Sequence, residues 1–292
     1  MQRRVAIFSD VHSNYLALQA VLQDIELKKV DAVVCAGDLV GYGPAPNEVI
    51  GLIRDKGIKT VLGNYDDAIA NFRPVCGCDY KSARAQEVGE HSIRFTKEVV
   101  KEENQQFLLS LPPHVYLKIA GNCLEFVEPA MFEGIYPLEH PMQAWLAPDS
   151  SEVRNYREQA RSFVPCHKPE SGEWLINVFH GSPRRLNEYL RSTSAPEEFE
   201  EVSKLSPGNV CVYGHTHEAY HKLINGVHFI NAGSAGKPKH GNPNVNYVIL
   251  ELGERVVAEF REVAYDFEKT AAEMEGLGHP PELIHMIKTG VE

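Results

Sequence analysis

Five short, largely apolar runs in this chain each stop at a residue type that binds metal ions. Val5-Ala6-Ile7-Phe8 stops at Ser9-Asp10-Val11-His12, and Val33-Val34-Cys35-Ala36 stops at Gly37-Asp38. Ile58 to Leu62 ends in Gly63-Asn64-Tyr65-Asp66, Trp174 to Phe179 in His180-Gly181-Ser182, and Val210 to Tyr213 in Gly214-His215-Thr216-His217. Short apolar runs bounded by turn-forming residues predict buried strands. In open α/β sheets, ligand sites form beyond the carboxyl ends of parallel strands. The fold therefore has to gather five strand ends scattered between residues 10 and 217.

The segments between these runs indicate how. Leu18, Val21, Leu22 and Ile25 recur at helical spacing after a capping Asn14, so the first two strands flank a crossover helix. A second helix is expected from Pro46 to Lys56, and further helices over Ala83–Val100 and Asn104–Leu111. Strands are expected at Val115–Ile119 and Leu124–Val127 around Gly121-Asn122, and at His221–Ile224 and Val227–Ile230 around Asn225-Gly226, a type I′ hairpin signal. Tyr247–Glu251 and Val256–Val263 form a last strand pair, and helices over Phe267–Glu275 and Pro281–Lys288 follow, the second stopped by Gly290. Early strands alternate with helices and late strands pair as hairpins, which predicts an α/β protein with two stacked mixed sheets and helices outside. Residues 1–292 read as a single domain without a linker or repeat, with a surface insertion at 128–172.

Composition narrows the function. The formal net charge is -11, which disfavours a binder of duplex DNA or RNA, although a local metal charge still admits a small phosphate. No apolar stretch approaches the length of a membrane span, and Met1-Gln2-Arg3-Arg4 runs directly into the first strand, so a cytoplasmic, reduced setting without membrane contact is expected. Of the six cysteines, Cys35 and Cys211 read as buried small hydrophobes, and Cys76-Gly77-Cys78 is a poor match to zinc spacings.

The strand ends supply Asp10, His12, Asp38, Asn64, His180, His215 and His217. This mixed nitrogen and oxygen set suits manganese, iron, cobalt or zinc rather than magnesium or calcium alone. It exceeds the needs of one ion and fits two divalent ions sharing a carboxylate, for which Asp38 is the candidate. Two such ions can clamp a phosphate and activate water near neutral pH.

The five blocks, in order, resemble the signature blocks of the calcineurin-like metallophosphoesterases. Ile230-Asn231-Ala232-Gly233-Ser234-Ala235-Gly236-Lys237-Pro238, Gly241-Asn242-Pro243 and the stretch from Tyr265 to Gly290 resemble its small bacterial and archaeal phosphodiesterase branch. The resemblance implies a four-layer α/β/β/α sandwich. It implies one metal on Asp10, His12 and His217, a second on Asn64, His180 and His215, and Asp38 bridging. Manganese is the first choice of metal, with iron, zinc, cobalt or nickel as alternatives. The implied reaction is in-line attack of metal-bound hydroxide on a small phosphate ester or nucleotide, with Asp38, Asn64, Tyr65, Asp66 and His180 in the catalytic group. A phosphodiesterase or dinucleoside-polyphosphate-type hydrolase leads, ahead of a phosphomonoesterase or protein phosphatase and a non-catalytic metal-binding scaffold.

One position departs from the family pattern. Where the family carries His after the Gly-Asn pair, this chain has Tyr65, a weaker acid at neutral pH. Either the leaving group is good, or another histidine such as His221 or His240 supplies the proton. Asp66 is expected to orient a neighbour. Tyr42, Arg184, Arg185, Lys237 and Lys239 are candidates to face the substrate.

Overall fold

Strand β1, Arg3–Phe8, sends alternate side chains into two different cores. Val5 and Ile7 join one apolar cluster, Ala6 and Phe8 another, and all four are fully buried. Period-two alternation with both faces apolar is the signature of a strand inside a layered structure. The computed structural model describes residues 2–127, 171–206 and 208–292, so the insertion expected at 128–172 lies almost wholly outside the described residues.

The first sheet runs β11-β10-β1-β2-β3, built from Val256–Val263, Val245–Leu252, β1, Ala32–Cys35 and Lys59–Thr60. β1, β2 and β3 are parallel, and β10 is antiparallel to both β1 and β11. The second sheet runs β5-β4-β6-β7-β9-β8, built from Cys123–Val127, Val115–Ala120, Glu173–Val178, Val210–Tyr213, Val227–Asn231 and Tyr220–Ile224. β6, β7 and β9 are parallel to one another in this sheet.

Three apolar clusters separate four layers. Between the sheets lie Val5, Ile7, Val34 and Leu250 of the first with Leu117, Ile176, Val212 and Ile230 of the second. On the outer face of the first sheet pack α1 (Tyr15–Lys28), α2 (Pro46–Asp55), α3 (Asn64–Ala70), α4 (Ala83–Val99) and α5 (Glu102–Leu109). They are joined there by α7 (Phe267–Gly276) and α8 (Pro281–Thr289). On the outer face of the second sheet, α6 (Pro196–Leu205) sets Phe199 and Val202 against Cys211, Tyr213 and Phe229. The α/β/β/α sandwich with two mixed sheets is thus the architecture of this chain.

Several local signals act as the sequence predicts. Asn14 Oδ1 accepts from Ala17 N at 3.3 Å and caps α1. Asn225 and Gly226 take φ of 50° and 80°, the positive pair that a type I′ turn needs. Two elements differ. The third strand, expected over Ile58–Leu62, shortens to Lys59–Thr60, because Leu62 N turns away to donate to Pro112 O at 2.7 Å. Helix α3 begins at Asn64, where a turn is the natural sequence reading.

Ile7 has no exposed surface and sits between the sheets. Ile7→Ala should lower unfolding free energy by about 2–5 kcal/mol, since the inter-sheet space closes only in part around the lost atoms. Urea denaturation followed by circular dichroism measures this. A loss near zero would mean that the inter-sheet cluster does not hold the layers together.

Candidate metal centre

Parallel strands β1 and β2 end side by side, and their exits are laced together. Asp10 N donates to Gly37 O at 2.9 Å and His12 N to Asp38 O at 3.0 Å. From the second sheet, β6 and β7 deliver His180 and His215 across the inter-sheet space. His180 Nδ1 lies 2.8 Å from Ala36 O, and His215 N donates to Asp10 Oδ2 at 2.9 Å.

The approach is close enough to exclude a side chain. A Cβ on Gly214 would overlap Ser9 Oγ and Asp10 Oδ2, and one on Gly63 would overlap the Asp38 backbone nitrogen and Oδ1. The backbone is strained as well. Asp10, His12, Asp38, His215 and His217 have φ of 56°, 48°, 55°, 65° and 63°. Left-handed conformation in non-glycine residues costs on the order of 1–3 kcal/mol each and persists only where surroundings over-determine it.

Two groups converge. Asp10, His12 and His217 form one, and Asp38, His180 and His215 the other; within each, potential ligand atoms lie within 4.8 Å of one another, and all six residues are buried. Asn64 lies beside the second, its Oδ1 2.9 Å from His180 Nε2. Asp38 faces both: Oδ2 lies 3.3 Å from His180 Nε2 and 3.7 Å from His12 Nε2, while Oδ1 accepts from Tyr65 N at 2.8 Å.

The imidazoles are oriented for coordination. Carbonyl oxygens of Val40, Ala36 and Lys237 lie 3.1, 2.8 and 2.5 Å from Nδ1 of His12, His180 and His217. A carbonyl only accepts, so each Nδ1 carries a proton and each Nε2 faces inward. Burial, against the pull of Asp38, pushes His12 down to about 3, and burial together with the Lys239 charge holds His217 well below its usual range. Both are therefore neutral, and their two Nε2 lone pairs face each other at 3.2 Å. Two lone pairs at that distance repel unless a cation lies between them. Asp10 Oδ1 and His215 Nε2 are buried with no hydrogen-bond partner. Burial and the His180 charge keep His215 neutral as well.

His180 behaves oppositely. Burial alone would lower it, but the Asp38 carboxylate beside it raises it to about 9. A proton on Nε2, shared with Asn64 Oδ1 and Asp38 Oδ2, stands where a second cation would. Dry, convergent nitrogen and oxygen donors of this type fit two borderline divalent ions.

Other candidates fall on either side of the centre. Asp66 does not line the cleft. Its Oδ1 accepts from Leu39 N and Val40 N at 2.8 and 3.2 Å and its Oδ2 from Gly63 N at 3.0 Å, so it positions the Asp38 loop rather than touching a reacting atom. Burial and the neighbouring Asp38 charge raise it to about 7. His221 pairs with His228 at 2.9 Å and His240 lies 3.7 Å from Glu262; neither lines the cleft, so neither takes the role considered for it. Arg184 is held by Glu188 and Glu201, and Arg185 lies 3.7 Å from Glu188. Tyr42, Tyr65, Lys237 and Lys239 do line the cleft, which has a volume of about 380 Å³.

Some contributors carry no sequence signal. Asn64 Nδ2 donates to Cys76 O at 3.2 Å, which turns Oδ1 toward His180. Cys78 Sγ accepts from the same nitrogen at 3.4 Å and lines the cleft, so the Cys76-Gly77-Cys78 segment holds Asn64 through a carbonyl and a thiol. Tyr189, Arg191 and Glu292 line the cleft from stretches that read as ordinary polar surface. The Gly-rich loop has a structural part: Ser234 Oγ donates to Asp10 O at 2.9 Å, and Asn231 Nδ2 donates to Gly214 O at 2.6 Å.

In chelator-treated protein, the raised pKa of His180 contributes stability in full below its ordinary value of 6.5, and this contribution is lost as pH rises through about 9. A divalent ion bound at this imidazole would replace the proton, so its affinity should rise over the same interval. Added Mn²⁺ should therefore raise the melting temperature more at about pH 8.5 than near neutrality, with proton release visible by calorimetry in two buffers. An equal increment at both values would rule out displacement of a proton. Gly214→Ala should abolish that increment, because the new methyl group takes the place of Asp10 Oδ2.

A family model described as the calcineurin-like phosphoesterase superfamily domain matches residues 4–255. An uncharacterized protein of Methanocaldococcus jannaschii is 29% identical over 269 residues, covering 91% of this chain and 89% of that one. Among solved structures, a metallophosphoesterase from Sphaerobacter thermophilus covers 100% of both chains at 24% identity with a TM-score of 0.64. A hypothetical protein from Pyrococcus horikoshii covers 99% of both at 17% identity and 0.69. With the match covering both ligand groups and every strand except β11, this chain belongs to the calcineurin-like phosphoesterase superfamily.

Proposed function

We propose that this chain hydrolyses phosphate esters with two divalent cations, manganese foremost, and that its substrates are phosphodiesters or nucleotides of the dinucleoside polyphosphate type. The observation that carries this reading is the pair of buried ligand groups with Asp38 Oδ2 directed at both. Bound there, the ions would neutralise charge on a phosphoryl group and lower the pKa of a water nucleophile. The residues proposed as ligands are Asp10, His12 and His217 on one side, Asn64, His180 and His215 on the other, and Asp38 shared.

The chain's own part is positioning. Three carbonyls fix the imidazole rings, Asp66 fixes the Asp38 loop, and Cys76 O fixes Asn64. Tyr65 is only 1% exposed, its hydroxyl lies 3.1 Å from that of Tyr80, and burial drives its pKa far above 10. Such a phenol is a poor proton donor to a leaving group. That favours esters whose leaving group departs without an acid, such as a nucleotide phosphate.

The test is turnover of bis-p-nitrophenyl phosphate against p-nitrophenyl phosphate with Mn²⁺, Co²⁺, Ni²⁺, Zn²⁺ and Mg²⁺. Diester turnover exceeding monoester turnover supports the reading. The reverse preference would indicate a phosphomonoesterase, and no turnover with any metal would indicate a scaffold. Asp38→Asn should lower kcat at least about 100-fold, because it perturbs both ions. Tyr65→Phe should stay within about tenfold, as expected of a group that transfers no proton. Tyr65→His should raise turnover of alkyl phosphates, whose leaving groups need an acid; unchanged leaving-group dependence would count against this account of Tyr65.

A further inference from the structure

Beside the ligand groups, a carboxylate sits between two ammonium groups. Glu292 Oε1 lies 3.1 Å from Lys237 Nζ and Oε2 lies 3.0 Å from Lys239 Nζ. Lys237 is 3% exposed, and its Nζ lies 4.4 Å from the centre of the Tyr42 ring. That ring in turn packs edge-on against His12 at 4.9 Å. A buried ammonium needs a counter-charge, and here one carboxylate serves two lysines. The backbone behind Glu292 is pinned: Gly290 takes φ of 65° as the cap of α8, and Gly241 N donates to Gly290 O at 2.9 Å. The Glu292 side chain, by contrast, is 53% exposed, so an incoming anion can displace it into solvent while itself serving as counter-charge to the lysines.

Glu292 also stands at a junction. It lines the cleft of the ligand groups and a second cavity of about 480 Å³. Tyr42 and Tyr80 are common to both, and Val88, Pro281 and Met286 make the second cavity largely apolar. Glu292, Tyr42 and Tyr80 thus connect the cleft that holds the ligand groups and the lysine pair to the apolar cavity. An anion with two or more charges per phosphoryl pair binds two ammonium groups better than a single carboxylate does.

We infer that Lys237 and Lys239 form an anion subsite that takes the second phosphoryl group of a nucleoside polyphosphate, that the Glu292 carboxylate occupies this subsite in the absence of substrate, and that the base enters the adjoining cavity. The inference rests on the phosphoesterase reading only for what happens to the first phosphoryl group.

Calorimetric titration of the full chain, kept free of divalent ions with a chelator, tests the subsite apart from catalysis. ADP and inorganic pyrophosphate are the probes. ADP affinity should rise about tenfold in Glu292→Gln and fall about tenfold in Lys239→Ala, the size expected for one charge-assisted contact. Lys239 is partly exposed, so its variant keeps the test open if Glu292→Gln does not fold, and thermal melting checks both. ADP should bind more tightly than pyrophosphate; equal affinity overturns the assignment of the cavity. Unchanged ADP affinity in both variants overturns the subsite. With Mn²⁺ added, the ratio of kcat/KM for a dinucleoside polyphosphate over bis-p-nitrophenyl phosphate should fall in Lys239→Ala. Turnover of esters without any shift in ADP binding sinks the subsite alone. The expected binding shifts without turnover of any ester sink the phosphoesterase reading and leave the subsite standing.

Discussion

The structure depends on keeping two carboxylates dry. Asp10 and Asp38 are 0% and 1% exposed, and they lie among imidazoles that burial keeps mostly neutral. Taking an ionised carboxylate out of water costs several kcal/mol unless positive charge or donors replace the water. Backbone amides supply part of this, with His215 N on Asp10 and Tyr65 N on Asp38. The protonated His180 supplies another part. What is left over is a deficit of positive charge on the Asp10, His12 and His217 side, and a divalent ion is the economical way to fill it.

The same demand explains the backbone. Five of the donor residues adopt left-handed φ, a conformation open to glycine and entered by few other residue types, aspartate and histidine among them. The strain is held in place by neighbours on every side: the β1 and β2 exits bond to each other, and the Ser234 loop bonds to Asp10 O. The αL turn lets successive side chains, such as Asp10 and His12, point to the same place immediately after a strand has ended. A regular strand would also put residues i and i+2 on one face, but it would carry them a full repeat apart.

Much of this arrangement was legible in the sequence, for physical reasons that differ by element. The five strand ends could be read because apolar runs and polar stops are chemically unlike. The hairpin at Asn225-Gly226 could be read because few other dipeptides accept two positive φ values. Helix α3 could not, since all of its residues from Asn64 to Ala70 are buried, and a helix wrapped on all sides shows no polar face to mark its period. The shortening of β3 depends on a hydrogen bond from Leu62 to Pro112, fifty residues away, which no local pattern announces. Within the centre, the acidic and imidazole donors were legible as residue types. The carbonyls of Ala36, Val40, Cys76 and Lys237 were not, because every residue carries one. Lys237 and Lys239 were visible as charges in a Gly-rich loop, but their shared partner Glu292 was not.

The contacts from His180 to Ala36 and from His215 to Asp10 join one sheet to the other. Packed sheets are otherwise held by side chains that tolerate small slippage, since apolar contact has no direction. These two contacts do have direction, and they sit at one edge of the interface. A slide of one sheet over its partner by even part of a residue would pull the two donor groups apart before it opened the apolar layer. The centre therefore helps to fix sheet alignment, together with directed bonds elsewhere such as that from Trp174 Nε1 to Gly253 O at 2.8 Å.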